Sequence, residues 1–169
     1  MSDENDQRLW DAVVSAEQRV AESRAEFFQQ AVARPRVLAG ALAGPTWAQR
    51  AALGFLRSLP DDVPDLLDEL VEHALADRWA LLARQAIAAG VRTGGEAVLS
   101  RIGRIVVDRL STADAHGYRR LAEMAAELQA WEALADLVRR ARQSADEEVR
   151  EVADDFEERF GPMLSRRET

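Results

Sequence analysis

Between Thr46 and Leu110 the chain repeats itself. Two apolar segments with helical spacing each open on a Trp, TWAQRAALGFLRSLP and RWALLARQAIAAG, and each is followed by a second, VPDLLDELVEHAL and GEAVLSRIGRIVVDRL. Trp47 and Trp79 are 32 positions apart (79 − 47). One helix pair cannot hide its own apolar stripe, so successive pairs must stack on each other. No stretch alternates β-branched and polar residues as a half-buried strand would. The expectation is an all-α chain of seven to nine helices joined by short loops.

Residues 4–33 predict one long amphipathic helix. Leu9, Val13, Ala16, Val20, Ser23 and Phe27 are spaced 4, 3, 4, 3, 4, with Trp10, Val14, Ala21 and Phe28 beside them. That spacing also fits a coiled-coil seam. Packing against its own chain is the first expectation for this helix; a homodimer seam or a partner-binding helix is the alternative. Arg34-Pro35 ends it. A short helix, RVLAGALA, closes at Gly44-Pro45, and Thr46 caps the Trp47 helix, which stops at Pro60. Asp62 with Pro64 opens the next, Asp65 standing where a capping-box acid would, and Asp77 caps the Trp79 helix, which Gly90 ends before the loop VRTGG. Ser111 and Asp114 box a helix running to about Leu128. Trp131 begins another, Ser144 and Glu147 box the last, and Gly161-Pro162 stops it. Trp47, Trp79 and Trp131, each at the head of a helix, are expected to seal core layers.

Composition narrows the function. There is no Cys, hence no disulfide, thiol nucleophile or thiolate metal site. No apolar run approaches the roughly 20 residues that cross a bilayer, and the start MSDENDQRLW lacks a basic and apolar leader; a cytoplasmic protein is expected. Every one of the 22 basic residues is Arg, as a GC-rich genome would produce and as bidentate anion contacts would favour. The net charge of −8 is unevenly laid out: residues 1–77 sum to −7 (7 Arg, 14 acids), 78–142 to +4 (11 Arg, 7 acids) and 143–169 to −5 (4 Arg, 9 acids). So acidic a chain is a poor general binder of nucleic acid. The basic middle is left to meet an acidic partner or the chain's own acidic ends.

The segment DEEVREVADDFEERFG resembles the first helix of a HEAT-type repeat, with Asp146, Val149, Arg150, Ala153, Phe156 and Gly161 in the pattern's places. Arg50, Ala51, Leu53 and Leu56 of the Trp47 helix fit it more loosely, and the helices at Trp79 and Tyr118 keep only the apolar spacing. The resemblance implies a right-handed, α-solenoid-like stack of antiparallel helix hairpins over 35–161, preceded by the helix of 1–34 and followed by a flexible tail, 162–169. It implies one curved binding face and no chemistry. A compact helical bundle would satisfy the same stripes.

Catalytic residue types are scarce. His73 has Glu69 one turn back and Glu72 beside it, but a di-metal bundle or a zinc-protease helix needs further ligands that the chain does not supply. His116 follows Asp114 with nothing to complete a site. Neither a nucleophile elbow nor a phosphate loop is present, although Arg92-Thr93-Gly94-Gly95 precedes a helix start where an anion would be welcome. No cofactor, metal or catalytic residue is expected. The candidate partner-binding residues are the basic set Arg101, Arg104, Arg139 and Arg140, on helix faces opposite Leu99, Ile102, Val106, Leu134 and Val138, and the acidic set Asp65, Asp68, Glu69 and Glu72 opposed to them. The expected function is a non-enzymatic protein-interaction module, an adaptor or regulator. An antitoxin or immunity-type inhibitor and a nucleic-acid-binding helical repeat are the alternatives.

Overall fold

The computed structural model describes residues 2–164. Among them are eight α-helices and no strand: α1 (Ser2–Gln30), α2 (Arg34–Leu42), α3 (Thr46–Ser58), α4 (Leu67–Leu75), α5 (Ala80–Leu110), α6 (Ala115–Glu127), α7 (Trp131–Arg142) and α8 (Glu147–Leu164). Two 3-10 turns, Pro60–Asp62 and Pro64–Leu66, link α3 to α4. The chain is all-α.

α5 is two helices in one. The break falls at Gly95, which sits at φ 55°, ψ −135°, outside any helical region. Arg84 in the first arm donates to the Ala74 carbonyl (3.2 Å), and Arg109 in the second donates to Glu72 (2.7 Å). A straight helix would hold positions 84 and 109 roughly 37 Å apart. Both reach residues two positions apart on α4, so arms 80–94 and 96–110 bend back toward each other at Gly95. The break expected in VRTGG therefore exists, but Gly90 does not make it. Gly90 is helical and buried, and a Cβ there would come within 2.3 Å of Val63 Cγ1. Its bare backbone serves close packing against the turn before α4.

Contacts run between near neighbours in the order. α3 packs on α2 and α5, α4 on α5 and α6, α7 on α5, α6 and α8, and α6 on α8. One apolar core threads through them, from Leu38 and Leu42 through Leu53, Leu56, Leu67, Leu70, Ile87, Ile102 and Leu121 to Leu134, Val152 and Phe156. Charges lace its outside: Arg57 to Gln85, Arg78 to Thr46, Arg84 to Glu127, Arg101 to Asp68, Arg119 to Asp155, Arg120 to Asp77 and Arg142 to Glu157. The basic middle thus meets acids of its own chain.

Several expected helix signals do other work. Thr46 and Asp77 cap nothing: Pro45 and the left-handed Trp79 (φ 69°) hold those cap positions, while the Thr46 hydroxyl and the Asp77 carboxylate accept from Arg78 and Arg120. Asp62 is buried before the 3-10 turn at Pro64 and takes both prongs of Arg34, Nε to Oδ2 at 2.8 Å and Nη2 to Oδ1 at 3.1 Å. Arg34 opens α2 and does not end α1; its remaining Nη1 donates to the Phe28 carbonyl (3.1 Å). The bond to Asp62 raises the Arg34 pKa above its ordinary value. Asp114 is itself the N-cap of α6, accepting from the Gly117 N–H at 2.8 Å. α8 runs through Pro162 to Leu164, because Phe160 and Leu164 still pack on the core and a Pro there removes a single N–H donor. The rest of the expected tail, from 165, lies outside the described residues.

Candidate functional site

The charged set expected to form a binding face is partly spent on the fold. Arg101 donates to the Pro64 carbonyl (2.6 Å) and to Asp68 (3.4 Å), and Glu72 is held by Arg109 at 2.7 Å. These are α5–α4 contacts, so the basic and acidic sets touch each other instead of lining a shared opening. Arg139 pairs with Asp136 one turn back on its own helix. Arg104 and Arg140 are exposed with no ion pair among the described residues, as is Asp65; Glu69 is half-buried and equally unpaired. The structure brings Arg101 to Asp68.

His73 is a fold residue. Its Nε2 donates to the Leu42 carbonyl at 3.0 Å, tying α4 to the end of α2. Among the described residues no cluster of three or more His, Asp or Glu could hold a metal ion, and no helix is long and apolar enough to cross a membrane.

The Trp residues divide. Trp131 is half-buried against Phe160, with ring centroids 6.0 Å apart. Trp79 packs partly on the core, its Nε1 buried without an acceptor among the described residues. Trp47 is 75% exposed, with the Arg50 guanidinium 5.2 Å above its ring. The expectation that Trp47 seals a core layer is wrong. It lies nine residues before Leu56, half a turn round the helix axis from that core position.

The feature that sequence reasoning underweighted is the uncovered length of α1. Its last turns are pinned: Phe27 meets Phe55 edge-on at 5.3 Å, and the Phe28 ring sits under Arg34 at 4.8 Å. Everything from Asp3 to Ser23 is exposed, including Leu9 (56%), Trp10 (61%) and Val13 (50%). Packing against its own chain, the first expectation, holds only for the pinned end. Where the second half of α1 passes α2 and α3, a groove of about 660 Å³ opens, floored by Ala16, Val20, Phe27, Leu38, Ala48 and Phe55 and flanked by Arg19 and Arg24. Its lining is alanine-rich, so the walls are shallow and leave room for side chains from elsewhere. The 4-3 spacing of the α1 stripe was the legible signal; the groove was not legible, because it requires knowing which faces of α2 and α3 turn toward α1.

No protein-family model, curated protein or solved structure matches this chain.

Proposed function

We propose that the chain is a non-enzymatic protein-interaction module, an adaptor or regulator, whose working surface is α1 with the groove beside it. One observation carries this reading: an apolar stripe of Leu9, Trp10, Val13, Val14 and Val20 lies open to water along α1. Contiguous exposed apolar surface of that kind marks interaction sites. The exposed Trp47–Arg50 pair, on the helix that floors the groove, is of the residue types that dominate binding energy. We read the body, α2 to α8, as a right-handed HEAT-like stack of hairpins. In support, its more extensive contacts join near neighbours in the order, as in quasi-one-dimensional stacks. An antitoxin or immunity-type inhibitor is one member of this class, since it too acts by covering a partner. The nucleic-acid reading is weaker, because six of the 11 Arg in 78–142 (Arg84, Arg101, Arg109, Arg119, Arg120 and Arg142) already face acids across the helices.

The test is photo-crosslinking in cells that express the chain, with the reactive residue placed at Val13 and, as control, at Glu147. A discrete protein adduct at position 13 and none at 147 is expected, and Trp47→Ala should thin the adduct without unfolding the chain. Equal labelling at both positions would overturn the reading.

A further inference from the structure

We infer that α1 pairs with the α1 of a second copy of this chain, antiparallel, each laying its first half into the other's groove. The inference rests on the interaction-module reading and names its partner. It starts from a mismatch of lengths. At 29 residues α1 is about 43 Å long, whereas the 9 and 13 residues of α2 and α3 extend only about 14 and 20 Å. The groove lies against the second half of α1, so the first half cannot fold back to fill it. One chain therefore carries both an uncovered apolar helix end and an unfilled apolar groove.

The two are chemically matched. Residues 3–11 hold Asp3, Glu4, Asp6 and Asp11 against Arg8 alone, a net of −3 (1 − 4). The groove is flanked by Arg19 and Arg24. An antiparallel arrangement brings each acidic first half to the other's second half, where Arg19 and Arg24 stand among Glu17, Glu22 and Glu26 for a net of only −1 (2 − 3). A parallel one stacks the two acidic halves on each other, which repels. The stripe agrees with the antiparallel arrangement: aligned that way, Leu9 meets the partner's Phe27, Val13 the partner's Ser23 and Ala16 the partner's Val20, so every seam position meets a seam position. Small residues in the middle, Ala16 and Ser23, let the two helices approach closely. A two-fold pair of this kind uses the same surface twice and closes on itself.

Sedimentation equilibrium and light scattering on the full chain test this. At about 100 µM, where even a micromolar interface is filled, the expected mass is twice 18.8 kDa, or 37.6 kDa. Leu9→Asp on the inserted half and Val20→Asp in the groove should each weaken the dimer by at least about 30-fold, the loss of a hot-spot residue. Both positions are exposed, so the body should keep its melting temperature. Mixing the two variants should restore part of the dimer, because one of its two docking sites is then intact. The chain has no Cys of its own, so introduced cysteines report the register: Val13→Cys should cross-link to Ser23→Cys on a second chain in preference to a second Val13→Cys. A 13-to-13 cross-link, or a monomer at that concentration, overturns the inference. A monomer that still gives a position-13 adduct with a different protein leaves the module reading standing; a monomer with no adduct removes both.

Discussion

Val63 lies against the bare Cα of Gly90, so close that a Cβ added there would stand 2.7 Å from Val63 Cβ and 2.3 Å from its Cγ1. Val63 is fully buried in the turn between the two 3-10 segments, and Gly90 in the first arm of α5. The approach fixes how α5 seats on the α3–α4 connection.

Gly90→Ala therefore overpacks this contact and should cost about 1–3 kcal/mol, although helix propensity alone would favour Ala at a helical position. Urea unfolding measures it. The cost should shrink when the same change is made on a Val63→Ala background, because the clashing methyls are gone. Equal costs on both backgrounds would show that Val63 is not what Gly90 accommodates.

Gly95 and Gly40 give opposite outcomes for the same substitution. A Cβ at either meets nothing within 4 Å. Gly95 holds φ 55° with ψ −135°, a region essentially closed to residues with a side chain, so Gly95→Ala should lose about 1–3 kcal/mol by strain alone. Gly40 is an exposed position of α2 with ordinary backbone, so Gly40→Ala should gain about 0.5–1 kcal/mol. Thermal melts of the two variants should move in opposite directions.

The layers of the body are held by apolar burial and only trimmed by charge. Leu70 is fully buried, and Leu70→Ala should cost about 2–5 kcal/mol. Asp68, on the same helix, is largely exposed at 3.4 Å from Arg101, and Asp68→Ala should cost no more than about 1 kcal/mol. Raising the salt should shrink the second loss and leave the first unchanged, as chemical denaturation at two ionic strengths would show.

The sequence announced these elements more clearly than their surroundings. The 3.6-residue spacing places Leu99, Ile102, Val106, Leu134 and Val138 on core faces; all are buried except Leu99, which is half-buried against the core. Gly94-Gly95 announces a break, because two residues without side chains in a row weaken a helix. Gly90 carries the same local signal for a different reason, and only the position of Val63 separates them. The Arg34–Asp62 pair was not legible, since nothing local links charges 28 positions apart. Arg101, Asp68 and Glu72 read as free surface because a sequence shows the face a charge occupies and not the acid or base across from it, whereas the Asp136–Arg139 pair, one turn apart on one helix, was legible. Trp47 misled for a related reason: its size argued for burial, but its place round the helix axis turns it outward.

α1 beyond its pinned end has no tertiary support, so its coil-to-helix balance rests on its own hydrogen bonds and side-chain propensities, which leave isolated helices marginal in water. Any ligand that covers the stripe also sustains the winding of the rod, and its affinity includes the entropy of that winding. Gln18 stands on the side away from the stripe. A glycine there would loosen complex formation without removing one contact, and helix-favouring changes along the outer face would tighten it. On the interaction reading proposed above, affinity would be tunable from residues that never touch the partner.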